Sequence, residues 1–212
     1  MYERQATAST SDADGDSLSL TYDWYVDGSL VQSGSSSTLS GSSYFDKSES
    51  ITVTVQAEDG TDTDSASSSA LTVSNTAPAI SSVSISPAAP SNDSTLTCSV
   101  SASDDDGDSL TSSFAWTNMT SGASLGTSST LTLTAALASN ADTIMCTATV
   151  TDTSSESDSS SGSVSLSNRP PVAPTVSVSP DPAYTGDSFT CSASGASDPD
   201  GDSLTTSYSW DI

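Results

Sequence analysis

The chain has 212 residues and carries 27 acidic side chains against three basic ones, with no histidine, so its formal net charge at pH 7 is −24. Such a charge repels phosphate groups and anionic lipid head groups, so binding to nucleic acid or to an anionic membrane surface is not expected. No run of about eighteen apolar residues occurs, and the sequence therefore predicts no membrane-spanning helix.

The sequence repeats itself with a period of about 93 residues. The motif Asp-Gly-Asp-Ser-Leu starts at Asp14, Asp106 and Asp200. A tryptophan follows each copy at the same distance: Trp24, Trp116 and Trp210. A repeat of this length predicts a tandem array of small domains, each able to bury its own core. The predicted domains are 1–75 (a copy without its first strand), 76–168 (a complete copy) and 169–212 (the N-terminal half of a third).

Both ends of the chain fall inside a repeat. Half-domains expose unpaired strand edges and half a core, so we expect the 212 residues to belong to a longer repetitive polypeptide. The alternative is a short protein whose half-domains complement one another between chains.

Apolar residues alternate with serine and threonine along most of the chain, which predicts half-buried strands. In the first copy the clearest example is Ile51–Val55. In the complete copy we predict strands near 80–86, 94–101, 111–117, 129–134, 143–151 and 160–168, with a short one around 122–126. Turns every 8–12 residues between such strands are typical of a two-sheet sandwich. The predicted fold class is all-β, with tandem immunoglobulin-like antiparallel β-sandwich domains.

The cysteines indicate the compartment. Cys98 and Cys146 lie in the complete copy, and the aligned positions of the first copy hold Ala6 and Val53. Because both partners are missing together, we predict a Cys98–Cys146 disulfide; two buried free cysteines are the alternative. Cys191 aligns with Cys98. Disulfides persist in oxidising compartments, so we expect an extracellular or cell-surface protein. A zinc site is not expected, since a tetrahedral site needs four ligands.

Several motifs resemble a known family. The pattern Asp-x-Asp-Gly-Asp-x-Leu is followed by an aromatic residue two positions before the tryptophan: Tyr22, Phe114 and Tyr208. Together with Val26-Asp27-Gly28, the stretch 51–60 and the Asn-x-x-Pro joints, it resembles bacterial immunoglobulin-like and polycystin-type (PKD-like) surface repeats. The resemblance implies β-sandwich modules of secreted or surface-attached stalks, adhesins or fibres, and no catalytic residue. The first copy departs from the pattern by lacking the cysteine pair.

Three acidic loops are the only constellation suited to a small ligand. They contain Asp12, Asp14 and Asp16, then Asp104, Asp105, Asp106 and Asp108, then Asp198, Asp200 and Asp202. Carboxylates at this density suit Ca²⁺, which takes six to eight oxygen ligands. The spacing is not that of an EF-hand. The competing interpretation is a tight turn between the second and third strands, for which aspartate and glycine supply the geometry.

Enzymatic activity is not expected. A serine nucleophile needs a base, and the chain has no histidine and a single lysine, Lys47. A pair of carboxylates acting as a glycosidase needs a cleft that raises one pKa, which solvated turns do not offer.

Two asparagines satisfy the N-glycosylation pattern: Asn92 and Asn118. Runs of serine, such as 35–37 and 159–161, would suit O-linked sugars or simply solvated loops. The sequence leaves both questions open.

The joints between copies, 75–78 and 168–171, are short and contain proline, which restricts its own backbone and that of the preceding residue. The sequence therefore favours a semi-stiff array. We expect a structural segment of an extracellular fibre, filament or surface stalk, with neighbouring copies of itself as partners. No cofactor is expected to be required, and Ca²⁺ is the candidate ligand of the acidic loops. The alternative is an adhesin that recognises a cell-surface glycan or protein through its loops.

Overall fold

The structure is a computed structural model that describes residues 3–211, with the main chain alone for the first of these. The regular secondary structure of the described chain is almost entirely β-strand, and the chain forms two compact units. Unit 1 comprises Met1–Ala77 with Asp104–Asp108, and unit 2 comprises Pro78–Ser103 with Ser109–Ile212. Within residues 3–211 no helix has the length and apolar character required to cross a membrane.

Unit 1 consists of two antiparallel sheets. Its elements are β1 (Glu3–Gln5), β2 (Ser19–Val26), β3 (Ser29–Gly34), β4 (Thr38–Ser40), the one-turn helix α1 (Gly41–Tyr44), β5 (Ser50–Glu58), β6 (Thr63–Ser67) and β7 (Leu71–Thr72). Strand β1 pairs with β4, and the second sheet has the order β3-β2-β5-β6, with β7 also paired to β5. Asp27 and Gly28 connect β2 to β3 with φ values of 47° and 77°, the positive angles that a two-residue hairpin turn requires.

Unit 2 has the same two-sheet architecture, with a third strand in its smaller sheet and an additional hairpin. Its strands are β8 (Ala79–Ser86), β9 (Thr95–Ser103), β10 (Thr111–Asn118), β11 (Ala123–Gly126), β12 (Thr130–Thr132), β13 (Thr143–Thr151), β14 (Ser157–Ser165), β15 (Thr175–Ser179) and β16 (Thr190–Ser194). One sheet has the order β12-β9-β8 and the other β11-β10-β13-β14, while β15 pairs with β16. The fold class is therefore all-β, with immunoglobulin-like antiparallel sandwiches, as the alternation predicts.

Each strand predicted for the complete copy is present, most with limits that differ by one or two residues. The last one spans Ser157–Ser165 rather than 160–168, and the fourth is confined to Thr130–Thr132. The first half of β14 contains serine and aspartate at nearly every position, so its alternation carries no apolar signal. Its position is fixed instead by nine register pairs with β13.

The core of unit 2 is built around the predicted disulfide. Cys98 on β9 and Cys146 on β13 are bonded, which confirms the pairing and joins the two sheets across a Cα–Cα distance of 6.4 Å. Trp116 is fully buried on β10, directly opposite Cys146 in the register, and its indole Nε1–H donates to the Ser128 carbonyl oxygen at 2.8 Å. This is the arrangement of immunoglobulin cores, in which a tryptophan packs against the inter-sheet bridge.

The core of unit 1 uses the same positions without the bridge. Trp24 is buried on β2 opposite Val53, and Val53 occupies the register position that Cys146 holds in unit 2. Ala6 packs against this cluster. Arg4 pairs in register with buried Leu39, and its Nε is buried without a hydrogen-bond partner in the described structure. A cleft of about 1090 Å³ opens beside Arg4 and is also lined by Trp24 and Val53.

Candidate functional site: the acidic loops and the proline joints

The three acidic loops share one local fold, set by the first aspartate of each. Asp12 Oδ1 accepts main-chain N–H bonds from Asp14, Gly15 and Asp16 at 2.8–3.0 Å. In the second and third loops, Asp104 Oδ1 and Asp198 Oδ1 accept the N–H groups that correspond to those of Asp14 and Asp16, while the glycine N–H donates to the main-chain carbonyl oxygen of the same aspartate. One carboxylate oxygen of each loop is thus already used to close a turn, as the turn interpretation requires.

The backbone conformation explains why each loop has glycine between the two aspartates of Asp-Gly-Asp. Gly15, Gly107 and Gly201 have φ values of 86°, 75° and 85°, in the left-handed region that side-chain-bearing residues rarely adopt. The sequence Asp-Gly-Asp therefore presents two carboxylates on either side of a sharp bend. In the second and third loops these carboxylates contact residues far away in the chain.

In unit 1, the second acidic loop contacts the first proline joint. Asp106 Oδ2 accepts the main-chain N–H of Thr76 at 2.6 Å. Asp108 forms an ion pair with Lys47, and the same ammonium group donates to Asn75 Oδ1 at 3.2 Å. The side chains of Asp108 and Lys47 are only 11% and 22% exposed, so water screens this pair less than a pair on an open surface.

In unit 2, the third acidic loop contacts the second joint in the same way. Asp200 Oδ2 accepts the main-chain N–H of Arg169 at 2.5 Å. Asp202 accepts a hydrogen bond from Asn140 Nδ2 at 2.6 Å, and Asn140 Nδ2 also donates to Asn168 Oδ1. Thr76 and Arg169 each follow a joint asparagine, and Lys47 and Asn140 occupy aligned positions of the repeat.

Arg169 is the centre of the second contact. Its Nε donates to Asp200 Oδ1 at 2.9 Å and one terminal nitrogen donates to Asp93 Oδ2 at 2.9 Å. The other terminal nitrogen donates to Asn92 Oδ1 and to the Pro199 carbonyl oxygen at 3.1 and 2.8 Å. The side chain of Asp200 is fully buried, and a carboxylate in that position requires such partners.

The protonation equilibria follow from these bonds. The pKa of Asp200 is lowered, chiefly by the hydrogen bond from the main-chain N–H of Arg169. Desolvation raises this pKa in part, and the guanidinium group of Arg169 lowers it further. The Ser91 hydroxyl and then Arg169 lower the pKa of Asp93. Hydrogen bonds to Asp200 and then to Asp93 raise the pKa of Arg169. These shifts favour the charged form of all three groups, so the cluster stays ionised at neutral pH.

The first acidic loop differs from the other two. Asp14 and Asp16 are exposed, and within residues 3–211 their carboxylates contact no joint. The pKa of Asp12 is lowered, chiefly by the main-chain N–H groups of Asp16 and Asp14, which is an effect internal to the loop. The sequence predicted three equivalent loops, and the structure gives them the same turn but different surroundings.

Calcium binding by the acidic loops stays a prediction. Asp104 and Asp108 bring carboxylate oxygens within 4.8 Å of each other, close enough to share a cation. Asp104 Oδ2 is buried and has no hydrogen-bond partner in the described structure. These two residues are therefore the best-placed ligands among the predicted set.

We expect Ca²⁺ to raise the melting temperature more than Na⁺ at equal ionic strength, because binding to the folded state alone stabilises it by about 2.7 kcal/mol at a hundred times the dissociation constant. Asp104→Asn keeps an Oδ1 acceptor for the turn but removes a charge, so it should abolish the difference. Calorimetric scans in the two salts measure this. Equal responses would indicate charge screening alone and leave the loops as turns.

The two predicted glycosylation asparagines lie in buried positions. Asn92 is 3% exposed, and its Nδ2 donates to the Asp200 carbonyl oxygen at 2.9 Å. Asn118 is 1% exposed, and its Nδ2 donates to Asp142 Oδ2 at 2.8 Å. The nitrogen that would carry the sugar is thus occupied in both. Glycosylation stays a prediction that this geometry does not favour.

Sequence reasoning missed the partners of the acidic loops. Lys47, Arg169 and Asn140 carried no predicted role, although the first two are among only three basic residues in a chain of charge −24. Their scarcity was the available signal, since each cation in such a chain has many carboxylates to choose from. The contact also requires Asn75 and Asn168, which the sequence offered only as joint residues.

Comparisons with known proteins give a likeness of fold at low identity. No protein-family model and no curated protein sequence matches the chain. The amphioxus IgVJ-C2 molecule is 16% identical, with a TM-score of 0.36, over 77% of this chain and 95% of that one. Three N-terminal domains of the bacteriophage RB49 highly immunogenic outer capsid protein are 16% identical, with a TM-score of 0.32, over 94% and 78%. Domains 3–5 of Drosophila OTK are 13% identical, with a TM-score of 0.25, over 91% and 68%. The immunoglobulin-like assignment therefore depends on the strand order, bridge and buried tryptophans of this chain itself.

Proposed function

We propose that the chain is a non-enzymatic structural segment of an extracellular fibre, filament or surface stalk, built from tandem sandwich repeats of the bacterial immunoglobulin-like or PKD-like type. The observation that supports it is the presence of two separate cores with residues at aligned positions. In unit 1 these are Trp24, Leu39, Ile51 and Val53, and in unit 2 they are Trp116, Leu131, Ile144 and Cys146. A chain that builds the same module repeatedly gains length, which is what a spacer requires.

The outer face of the β13–β14 hairpin supports the same role. Threonines of β13 and serines of β14 pair across the strands through their hydroxyl groups, at 2.9 Å for Thr147–Ser161 and 2.8 Å for Thr149–Ser159. Each such pair stabilises the sheet modestly while presenting only small polar groups to solvent. The surface at these positions is thus hydrated and uncharged.

The proposed location is extracellular, because the Cys98–Cys146 bond would persist in an oxidising compartment. The proposed partners are neighbouring copies of the same repeat. Unit 2 gains stability from the bridge without needing a larger core, which suits small modules outside the cell.

Small-angle scattering tests the proposal. A compact globule of 212 residues has a radius of gyration of roughly 17 Å. We expect a clearly larger value and a pair-distance distribution with a long tail. A compact particle would contradict the structural role. A glycan array on the same protein separates a spacer, which should be silent, from an adhesin, for which specific binding would replace our proposal.

A further inference from the structure

The second and third acidic loops contact a proline joint through the same set of positions. The first aspartate of Asp-Gly-Asp accepts the main-chain N–H that follows the joint asparagine, from Thr76 in unit 1 and from Arg169 in unit 2. The second aspartate contacts a side chain that also donates to the joint asparagine, Lys47 in one case and Asn140 in the other. The side chain between the second aspartate and the joint asparagine is a lysine in one case and an asparagine in the other, but it contacts the same two positions of the repeat.

The sequence separations show that the chain does not form these contacts merely by local turn geometry. Asp106 lies 30 residues from Thr76, and Asp200 lies 31 residues from Arg169. Asp108 and Asp202 reach partners 61 and 62 residues away. Two independent long-range contacts with matching atoms indicate that the arrangement belongs to the repeat itself.

The energetics favour a persistent contact. Hydrogen bonds that involve a charged group are about twice as strong as neutral ones, and both loops use ionised carboxylates as acceptors. In unit 2 the Asp200 carboxylate is removed from water, and losing its partners would leave a buried charge unpaired. Two of the three basic residues of the chain, Lys47 and Arg169, are used in these contacts.

We propose that the Asp-Gly-Asp loop is a clasp for the proline joint that precedes it, and that its two carboxylates hold the joint asparagine and the residue after it in one conformation. The inference rests on the proposed structural role, because a joint of fixed conformation is useful in a chain that serves as a spacer. This role of the acidic motif does not require a metal ion. Its carboxylates accept hydrogen bonds from a main-chain N–H of the Asn-x-x-Pro segment and from a cationic or amide side chain beside it.

The sequence offers unusually selective probes for the clasp. Lys47 is the only lysine, and Arg4 and Arg169 are the only arginines. Amine acylation of the intact protein, located by peptide mass spectrometry, therefore reports on Lys47 and on the terminal amine alone. The arginine Nε–H region of a ¹⁵N spectrum contains only two signals, and Arg4 serves as the internal reference for Arg169.

The experiment compares alanine variants of the second and third acidic loops with control variants of the first loop, all in the 212-residue chain. Asp108→Ala should increase the acylation rate of Lys47 about tenfold, and Asp200→Ala should accelerate exchange of the Arg169 main-chain amide and Nε–H by a similar factor, the size expected for losing a charged hydrogen bond. The aligned substitutions in the first loop, Asp16→Ala and Asp14→Ala, are matched controls, because those carboxylates contact no joint within residues 3–211. The controls should leave both readouts unchanged.

A milder variant keeps the proposal testable if Asp200→Ala does not fold. Asn140→Ala removes only the side chain that links Asp202 to Asn168, and it should accelerate amide exchange at residues 168 and 169 with the circular dichroism spectrum unchanged. Unchanged exchange and acylation rates in folded Asp108→Ala, Asp200→Ala and Asn140→Ala would overturn the clasp. These local readouts are independent of particle shape. A compact particle whose joint amides exchange slowly would therefore contradict the structural role but remain consistent with the clasp.

Discussion

Replacing Cys98 and Cys146 together by alanine is expected to lower the free energy of unfolding of unit 2 by roughly 4 kcal/mol. The bond closes a loop with a sequence separation of 48, and the chain-entropy model gives that cost for releasing such a loop in the unfolded state. For a small domain this corresponds to a decrease in melting temperature on the order of 15–25 °C. Differential scanning calorimetry of the double variant measures it, and intact mass before and after reduction, two hydrogens apart, verifies the bond in the parent protein.

Unit 1 is the internal control for this experiment, because Ala6 and Val53 stand at the aligned positions and no bridge is present there. Amide exchange in β2 and β5 should be the same in the parent and the double variant, while β10 and β13 lose protection. Uniform loss in both units would mean that the effect is not specific to the bridge. An unchanged melting temperature would contradict a stabilising role.

The disulfide also shows how much of this fold a single sequence predicts. The repeat supplied its own comparison, since positions that change together, such as Cys98 with Cys146, reveal a contact without any second protein. Alternation of Val, Ile and Thr placed the strands of the complete copy. It failed only where the strand itself carried no apolar residues, as in the first half of β14, whose position depends on pairing with β13.

The acidic loops were recognisable as turns, but their partners were not. Which amide or cation a carboxylate contacts depends on how the chain returns to the loop, as with Lys47 and Asp108, and no local pattern contains that information. The burial of Asn92 was likewise not predictable from the sequence. A glycosylation pattern involves three adjacent residues only, and it contains no information about the Asp200 carbonyl oxygen that accepts the hydrogen bond from the Asn92 side-chain amide. The residue types of the loops are thus readable from the sequence, whereas the partners of their carboxylates are determined by the tertiary fold.

Trp116→Ala should destabilise unit 2 by about 3–5 kcal/mol, the range for removing a large aromatic side chain from a packed core. Trp116 is fully buried against the Cys98–Cys146 bond, and its absence leaves both a cavity and the Ser128 carbonyl oxygen without its indole donor. Trp210, at the aligned position of the third copy, is 56% exposed, so Trp210→Ala is a matched control with an expected change under about 0.5 kcal/mol.

Trp116→Phe covers the case in which the alanine variant does not fold. It retains most of the apolar volume and loses the Nε1–H bond to Ser128, so a cost of about 1–3 kcal/mol is expected, between those of the other two variants. Urea unfolding followed by far-ultraviolet circular dichroism gives all three free energies without relying on tryptophan fluorescence. We expect the cost to decrease from alanine to phenylalanine at position 116 and then to the Trp210 control, because of the burial of Trp116 and its indole hydrogen bond. If Trp116→Ala and Trp210→Ala cost the same, the indole at position 116 would not be the centre of the core. If Trp116→Phe and Trp210→Ala cost the same, the Nε1–H bond to Ser128 would contribute nothing measurable to stability.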